Sequence, residues 1–215
     1  MLRRDRVREA PEFHTPVLGP DVSIWLITDP AGVYVDATVG GGGHAEGLLE
    51  RLGETGRLIG IDRDPKAVRE ASRRLHRFGQ RAVLIQAPFW ELGRILADRG
   101  VRGVAGLLFD LGVSSHQIDD PDRGFSYRQD GPLDMRMGPD ATRSAREVIN
   151  TYSQQALARI FKRYGEERAA ARIARAICQR RKRARLEKTL ELADLIADVV
   201  RGPHLQKTLA RIFQA

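Results

Sequence analysis

Four strand-length apolar runs, separated by stretches of helical spacing, leave this chain little choice of fold. Residues 33–35, 58–61, 82–85 and 106–111 are apolar on nearly every consecutive position. Such runs suit strands covered on both faces, whereas a half-solvated sheet shows alternation. Between them Ala45, Leu48, Leu49 and Leu52 recur at helical spacing, as do Val68, Ala71 and Leu75, and residues 92–96 continue the pattern. Asp64 and Pro65 supply an N-cap and a first-turn proline. Strands joined by helical crossovers predict an α/β fold, an open doubly wound parallel sheet.

The pattern changes near Asp119. Residues 119–140 hold Gly, Pro and Asp at turn density, and only helical spacing follows. Leu157, Ile160, Phe161 and Tyr164 form one predicted inward stripe, opened by Ser153 and closed by Gly165. A second helix is predicted over 166–181, with Arg168, Arg172 and Arg175 as a basic ridge. A third begins at Thr189, turns Leu192, Leu195, Ile196 and Val199 inward, and stops at Gly202 and Pro203. The expected organisation is a cofactor-binding α/β domain over 1–117 and a small all-α domain over 118–215.

Charge separates the halves. The chain carries 36 Lys and Arg against 28 Asp and Glu, yet residues 143–188 alone hold 14 basic and 4 acidic residues. That segment is net +10 and the remainder −2, which predicts a polyanion-facing segment on a nearly neutral body. No apolar run approaches the ~20 residues of a membrane span, and the charged start of the chain lacks a signal-peptide core. The single cysteine, Cys178, forms no internal disulfide and fits a reducing compartment. A cytoplasmic protein without membrane or metal partners is expected.

The chemistry concentrates at strand ends. Gly40, Gly42 and Ala45 fit a nucleotide-binding turn between a strand and a helix. Asp62 follows Gly40 by 22 residues, the spacing of a ribose-binding carboxylate. Asp36, just before the loop, would repel a pyrophosphate and instead suits a cation, such as the sulfonium or amino group of S-adenosylmethionine. Phe89 after the third strand is placed to stack on an adenine. Asp110, after the fourth, points into the same cleft and is a candidate to accept a hydrogen bond from a reacting amine. A nicotinamide dehydrogenase is the first rival, but no His or Lys follows the fourth strand at once as a proton-transfer group; a non-catalytic RNA-binding protein is the second.

Here the sequence resembles the bacterial 16S ribosomal RNA cytosine-N4 methyltransferases, the MraW family. The resemblance rests on FHTPVL at 13–18, GGGGH at 40–44, IDRDP at 61–65, DLGVSS at 110–115, RGFSY at 123–127, DGPLDMRM at 130–137 and YGEER at 164–168. It implies a class I S-adenosylmethionine-dependent methyltransferase fold, Rossmann-like, with an inserted helical substrate domain. It also implies N4-methylation of a decoding-centre cytosine in 16S rRNA of the small ribosomal subunit. Cofactor contacts would fall on Gly42, Gly43, His44, Asp62, Phe89, Asp110 and Gln117, beside Asp36 and Gly40 from the reading above. His116 stands where many relatives carry proline. Relatives continue past Ala215 with further strands, so the chain is expected to leave its fourth strand half-paired, to be poorly soluble and to have little activity alone. A homodimer is left open.

Physically, Phe125 and Tyr127, between Arg123 and Arg128, are candidates to stack on an unpaired base while those arginines meet phosphate, and Arg136 is a further candidate substrate contact. Packing of the same aromatics as loop anchors is the competing reading. Arg168, Arg172 and Arg175 would grip the RNA backbone.

Overall fold

The computed structural model describes residues 16–215, so residues 13–15 of the first resemblance motif lie outside the described residues. The chain divides between Ser115 and His116 into two compact units.

In the first unit, helix α1 (Gly19–Leu26) precedes strand β1 (Val33–Asp36). Helix α2 (Gly43–Arg51), strand β2 (Arg57–Asp62), helix α3 (Pro65–Leu75) and strand β3 (Ala82–Gln86) follow. Helix α4 (Leu92–Asp98) and strand β4 (Gly106–Leu108) complete it. The four strands are parallel in the order β3-β2-β1-β4. In β1 and β2 apolar residues run without alternation because both faces are covered, whereas Leu107 on β4 is exposed. Tyr34 and Leu58 pack with Leu48, Leu49, Ala71 and Leu75 on one face, while Val35, Ile59 and Ile61 pack with Ile95 on the other. The Asp64 carboxylate caps α3 by accepting from the Lys66 N–H at 2.9 Å, as the sequence predicts.

Strand order decides where a ligand can sit. Strands one to three step outward in one direction, and β4 joins β1 from the other side. The order therefore reverses between β1 and β4, at the position where open α/β sheets bind ligands beyond their carboxyl ends. Asp36 and Leu108 are register partners there, and the Ala37 N–H donates to the Leu108 carbonyl at 2.9 Å.

Strand β4 is shorter than the apolar run predicted. Pairing ends at Leu108, because the chain then turns to give the Asp110 N–H to Thr38 Oγ1 at 2.7 Å. Beyond it Phe109, Leu111 and Val113 are exposed, Leu111 by 68%.

The second unit is helical apart from an isolated antiparallel bridge between Pro132 and Lys188. Its helices are α5 (Ser115–Asp119), α6 (Ala145–Thr151), α7 (Gln154–Arg163), α8 (Ala170–Arg180), α9 (Thr189–Val199) and α10 (Leu205–Gln214). Leu133, Leu157, Phe161, Ile173, Ile177 and Ile196 are among the residues at its centre. Ser144 and Ser153 cap α6 and α7 through hydroxyls that accept from Glu147 and Ala156 N–H groups. Two expectations need correction. The helix predicted from residue 166 starts at Ala170, because Glu166 adopts a left-handed backbone (φ 51°) and breaks the run. Tyr164, predicted inward, is 59% exposed.

The long loop is tied into this core by Thr189, which is fully buried. Its hydroxyl accepts from the Gly131 N–H at 3.0 Å and donates to the Gln129 carbonyl at 2.9 Å. Thr189→Val keeps the shape but leaves the buried Gly131 N–H without its acceptor. We expect a loss of about 2 kcal/mol in denaturant unfolding. An unchanged midpoint would mean that water replaces the hydroxyl.

Candidate functional site

The glycine loop owes its path to backbone that only glycine adopts freely. Gly40 (φ 52°) and Gly42 (φ 85°) are both left-handed. A Cβ on Gly42 would also come within 3.2 Å of the Ala71 Cα, so the loop lies directly on α3. Asp62, at the end of β2, holds the loop from the other side. Its Oδ2 accepts from the Gly40 N–H and its Oδ1 from the Asp64 N–H, each at 2.9 Å. Each oxygen keeps a further lone pair for a ligand. Burial raises the Asp62 carboxyl above its ordinary range, opposed by these backbone donors.

Asp36 is the unusual member. It is buried at the end of β1, where one oxygen accepts from the Thr38 N–H at 3.1 Å and Oδ2 has no hydrogen-bond partner. Burial pushes its carboxyl up to about 7, and the charges of Asp62 and Asp110 add to the rise. Asp110 follows β4 with 58% of its side chain exposed, and its Oδ2 lies 3.7 Å from His44 Nε2. His44, in the first turn of α2, is driven by burial toward the neutral form against the pull of Asp110, and its Nδ1 is buried without a partner. A desolvated, under-bonded carboxylate repelled by two others, Asp62 and Asp110, is complementary to a cation.

Aromatic surface adjoins them. Phe89 follows β3 on a short 3₁₀ turn and is partly exposed. It meets Trp90 edge-on at 5.5 Å and Phe109 at 5.7 Å between ring centroids. Trp90 is 60% exposed, with the Arg63 guanidinium 5.1 Å from its ring centre. The sequence reading missed Thr38, Arg63, Trp90 and Phe109. A Trp beside Phe89 and an Arg beside Asp62 were the available signals.

In the second unit, Gln117 is buried on α5. Much of the long loop's chemistry is used internally. The Arg123 guanidinium donates to the Arg136 and Met137 carbonyls at 3.0 and 3.2 Å and lies 5.9 Å from the Phe125 ring centre. Arg136 grips both oxygens of Asp134 at 2.7 Å, holding that carboxyl below its usual range. Tyr127 meets Phe213 edge-on at 5.5 Å and packs on the helical core, as a loop anchor does. Arg168, Arg172 and Arg175 are exposed, but Arg168 precedes α8, so the helix carries only the latter two. Arg181 is structural, since its guanidinium donates to the Ile149 and Tyr152 carbonyls at the end of α6, at 2.7 and 2.6 Å.

Comparison with known proteins agrees with the resemblance. A protein from Heliobacterium modesticaldum named ribosomal RNA small subunit methyltransferase H is 45% identical over 209 residues, covering 94% of this chain and 66% of its own length. Proteins of the same name from Fusobacterium nucleatum and Chlorobium phaeobacteroides are each 47% identical. They align over 86% and 94% of this chain, and over 59% and 64% of their own lengths. The chain thus spans less than two thirds of the length of these relatives. The description of the MraW methylase family matches residues 12–215, nearly the whole sequence, and the chain belongs to that family.

Proposed function

We propose that this chain carries the cofactor-binding and RNA-facing parts of a cytoplasmic, S-adenosylmethionine-dependent enzyme that methylates N4 of a decoding-centre cytosine in small-subunit 16S rRNA. The observation that carries the cofactor half is Asp36, a buried carboxylate with an unpartnered oxygen at the point where strand order reverses. A pyrophosphate would meet three acids there, whereas a cationic ligand supplies what they lack. The names of the relatives support the substrate half.

Bound there, S-adenosylmethionine would supply an electrophilic methyl group on a cationic sulfur. Asp36 would face the ligand's positive charge, and Asp62 would accept from ribose hydroxyls with its remaining lone pairs. The backbone of Gly40 to Gly43 lets the ligand approach closely. Phe89 offers a ring face for adenine. Asp110, fixed by the donation of its own N–H to Thr38, would accept a hydrogen bond from the exocyclic amine. That bond would orient the amine, and the Asp110 carboxylate would take up the proton that the amine must lose. In the helical unit, Arg172 and Arg175 would meet phosphate without reading sequence.

Titration calorimetry of the chain with S-adenosylmethionine and, separately, NAD tests the cofactor assignment. Binding of the first and not the second is expected; the reverse result overturns it. The Asp36 carboxyl adds a pH signature. With a pKa of about 7, it is mostly protonated at pH 6 and mostly ionised at pH 8. Affinity for the cation should therefore rise about tenfold across that interval and level off above it. Folding stability of the ligand-free chain moves the opposite way. The contribution from the raised carboxyl is present below its ordinary value of 3.8 and is lost as pH rises through about 7. Asp36→Asn should bind weakly with a flat profile. A flat profile in the unaltered chain would remove Asp36 from the cation contact.

A further inference from the structure

The corner between α7 and α8 combines features that core packing does not explain. Tyr164 ends α7, where helical spacing would place it inward beside Phe161, yet 59% of it is exposed. The Arg163 guanidinium lies 5.6 Å from its ring centre, and Lys162 and Arg168 flank it in sequence, both exposed. Cations in a last helical turn are ordinary, since they oppose the helix dipole. That accounts for Lys162 and Arg163 but not for Arg168 beyond the corner, nor for a large ring left in water.

The corner is also rigid. Gly165 lies so close to α10 that a Cβ there would stand 2.4 Å from the Arg211 carbonyl oxygen. Glu166 holds a left-handed conformation, costly for a residue with a side chain. The Glu167 N–H donates to the Phe161 carbonyl at 3.0 Å. The Glu167 side chain is buried, accepts from the Ala169 N–H at 2.8 Å, and places Oε2 3.9 Å from an Arg211 nitrogen. These contacts fix the backbone so that the ring projects outward. Strain kept at a surface corner, behind an exposed aromatic and among cations that meet no carboxylate among the described residues, is an arrangement that suits a ligand better than it suits packing.

We propose that Tyr164 is a stacking platform for one unpaired base of the RNA, with Lys162, Arg163 and Arg168 meeting the adjoining phosphates. A flat aromatic face takes any base, and the surrounding cations complement a single-stranded backbone. Among residues 161–170 the exposed acid is Glu166, outnumbered by the three exposed cations, and Glu167 is buried. This inference rests on the RNA-facing reading of the helical unit and adds the residue that would prefer unpaired over paired RNA. Of the two aromatics that the sequence suggested for this task, Tyr127 is already packed on Phe213 and Phe125 lies against the Arg123 guanidinium, 5.9 Å from its ring centre.

The test is fluorescence anisotropy of the 215-residue chain with a labelled twelve-nucleotide oligocytidine and with an RNA duplex of equal length. Tyr164→Leu should weaken oligocytidine binding at least about fivefold, with an unchanged salt slope, because stacking releases no counterions. Its melting temperature should match the unaltered chain, and Tyr164→Phe should bind within twofold of it. Arg172→Gln with Arg175→Gln should instead lower the salt slope. If Tyr164→Leu binds normally while the arginine variant weakens binding, the platform is wrong and the RNA-facing reading stands. Equal weakening toward the duplex also overturns the platform, since paired bases offer no free face. If the unaltered chain binds neither RNA, the RNA-facing reading falls and this inference with it.

Discussion

Asp62→Ala should weaken S-adenosylmethionine binding about 100-fold. The carboxylate serves two tasks at once. It would accept from ribose hydroxyls, and hydrogen bonds to a charged group contribute about 1.5–3 kcal/mol each. It also accepts from the Gly40 N–H, so alanine frees the loop that the ligand must approach. A net loss of about 2–3 kcal/mol corresponds to the stated factor. Asp62→Asn retains one acceptor oxygen and should fall between the two. Calorimetry on all three chains reads the effect directly, alongside melting curves that report loss of the loop anchor. Unchanged affinity in Asp62→Ala would show that the ribose contact is wrong.

Asp110→Asn should slow methyl transfer about 100-fold while leaving the fold intact. Positioned acid–base groups contribute about 10²–10⁴-fold, and an uncharged amide is a poorer acceptor for an amine whose proton must leave. The fold should survive because the Asp110 anchor to Thr38 is a backbone N–H, which asparagine keeps. The contact with His44 at 3.7 Å loses its charge but lies at a half-exposed side chain. Single-turnover transfer onto small ribosomal subunits, in the protein extended to the length of its relatives, measures the step without product release. A rate equal to that of aspartate would leave Asp110 with a positioning role only.

Much of the first unit was legible in the sequence. Strands β1 and β2 appear as unbroken apolar runs because both of their faces are buried, and the cap at Asp64 is a local event between neighbours. The glycine loop is similarly local, since left-handed backbone selects glycine wherever it occurs. Helices α6 and α10 were not anticipated. The seven-residue α6 packs on α8, remote from it in sequence, while α10 packs on the helix just before it, α9, and lies against the corner at Gly165.

Charged residues were the least legible. Arg123, Arg136, Arg168, Arg172, Arg175 and Arg181 look alike as part of a basic sequence. In the fold, Arg123 secures a loop, Arg136 pairs with Asp134, and Arg181 caps α6. Arg168, Arg172 and Arg175 project into solvent. The parallel α/β half, the glycine turn and the acids at the strand ends can be read from the residues alone, because they depend on local backbone preference and on burial of short apolar runs. Where β4 stops, which arginines are already used, and that Tyr164 faces outward emerge once the chain is folded. Each of those turns on whether a distant backbone group takes up a side chain's hydrogen-bonding capacity or a distant element leaves room for it, which no local pattern records.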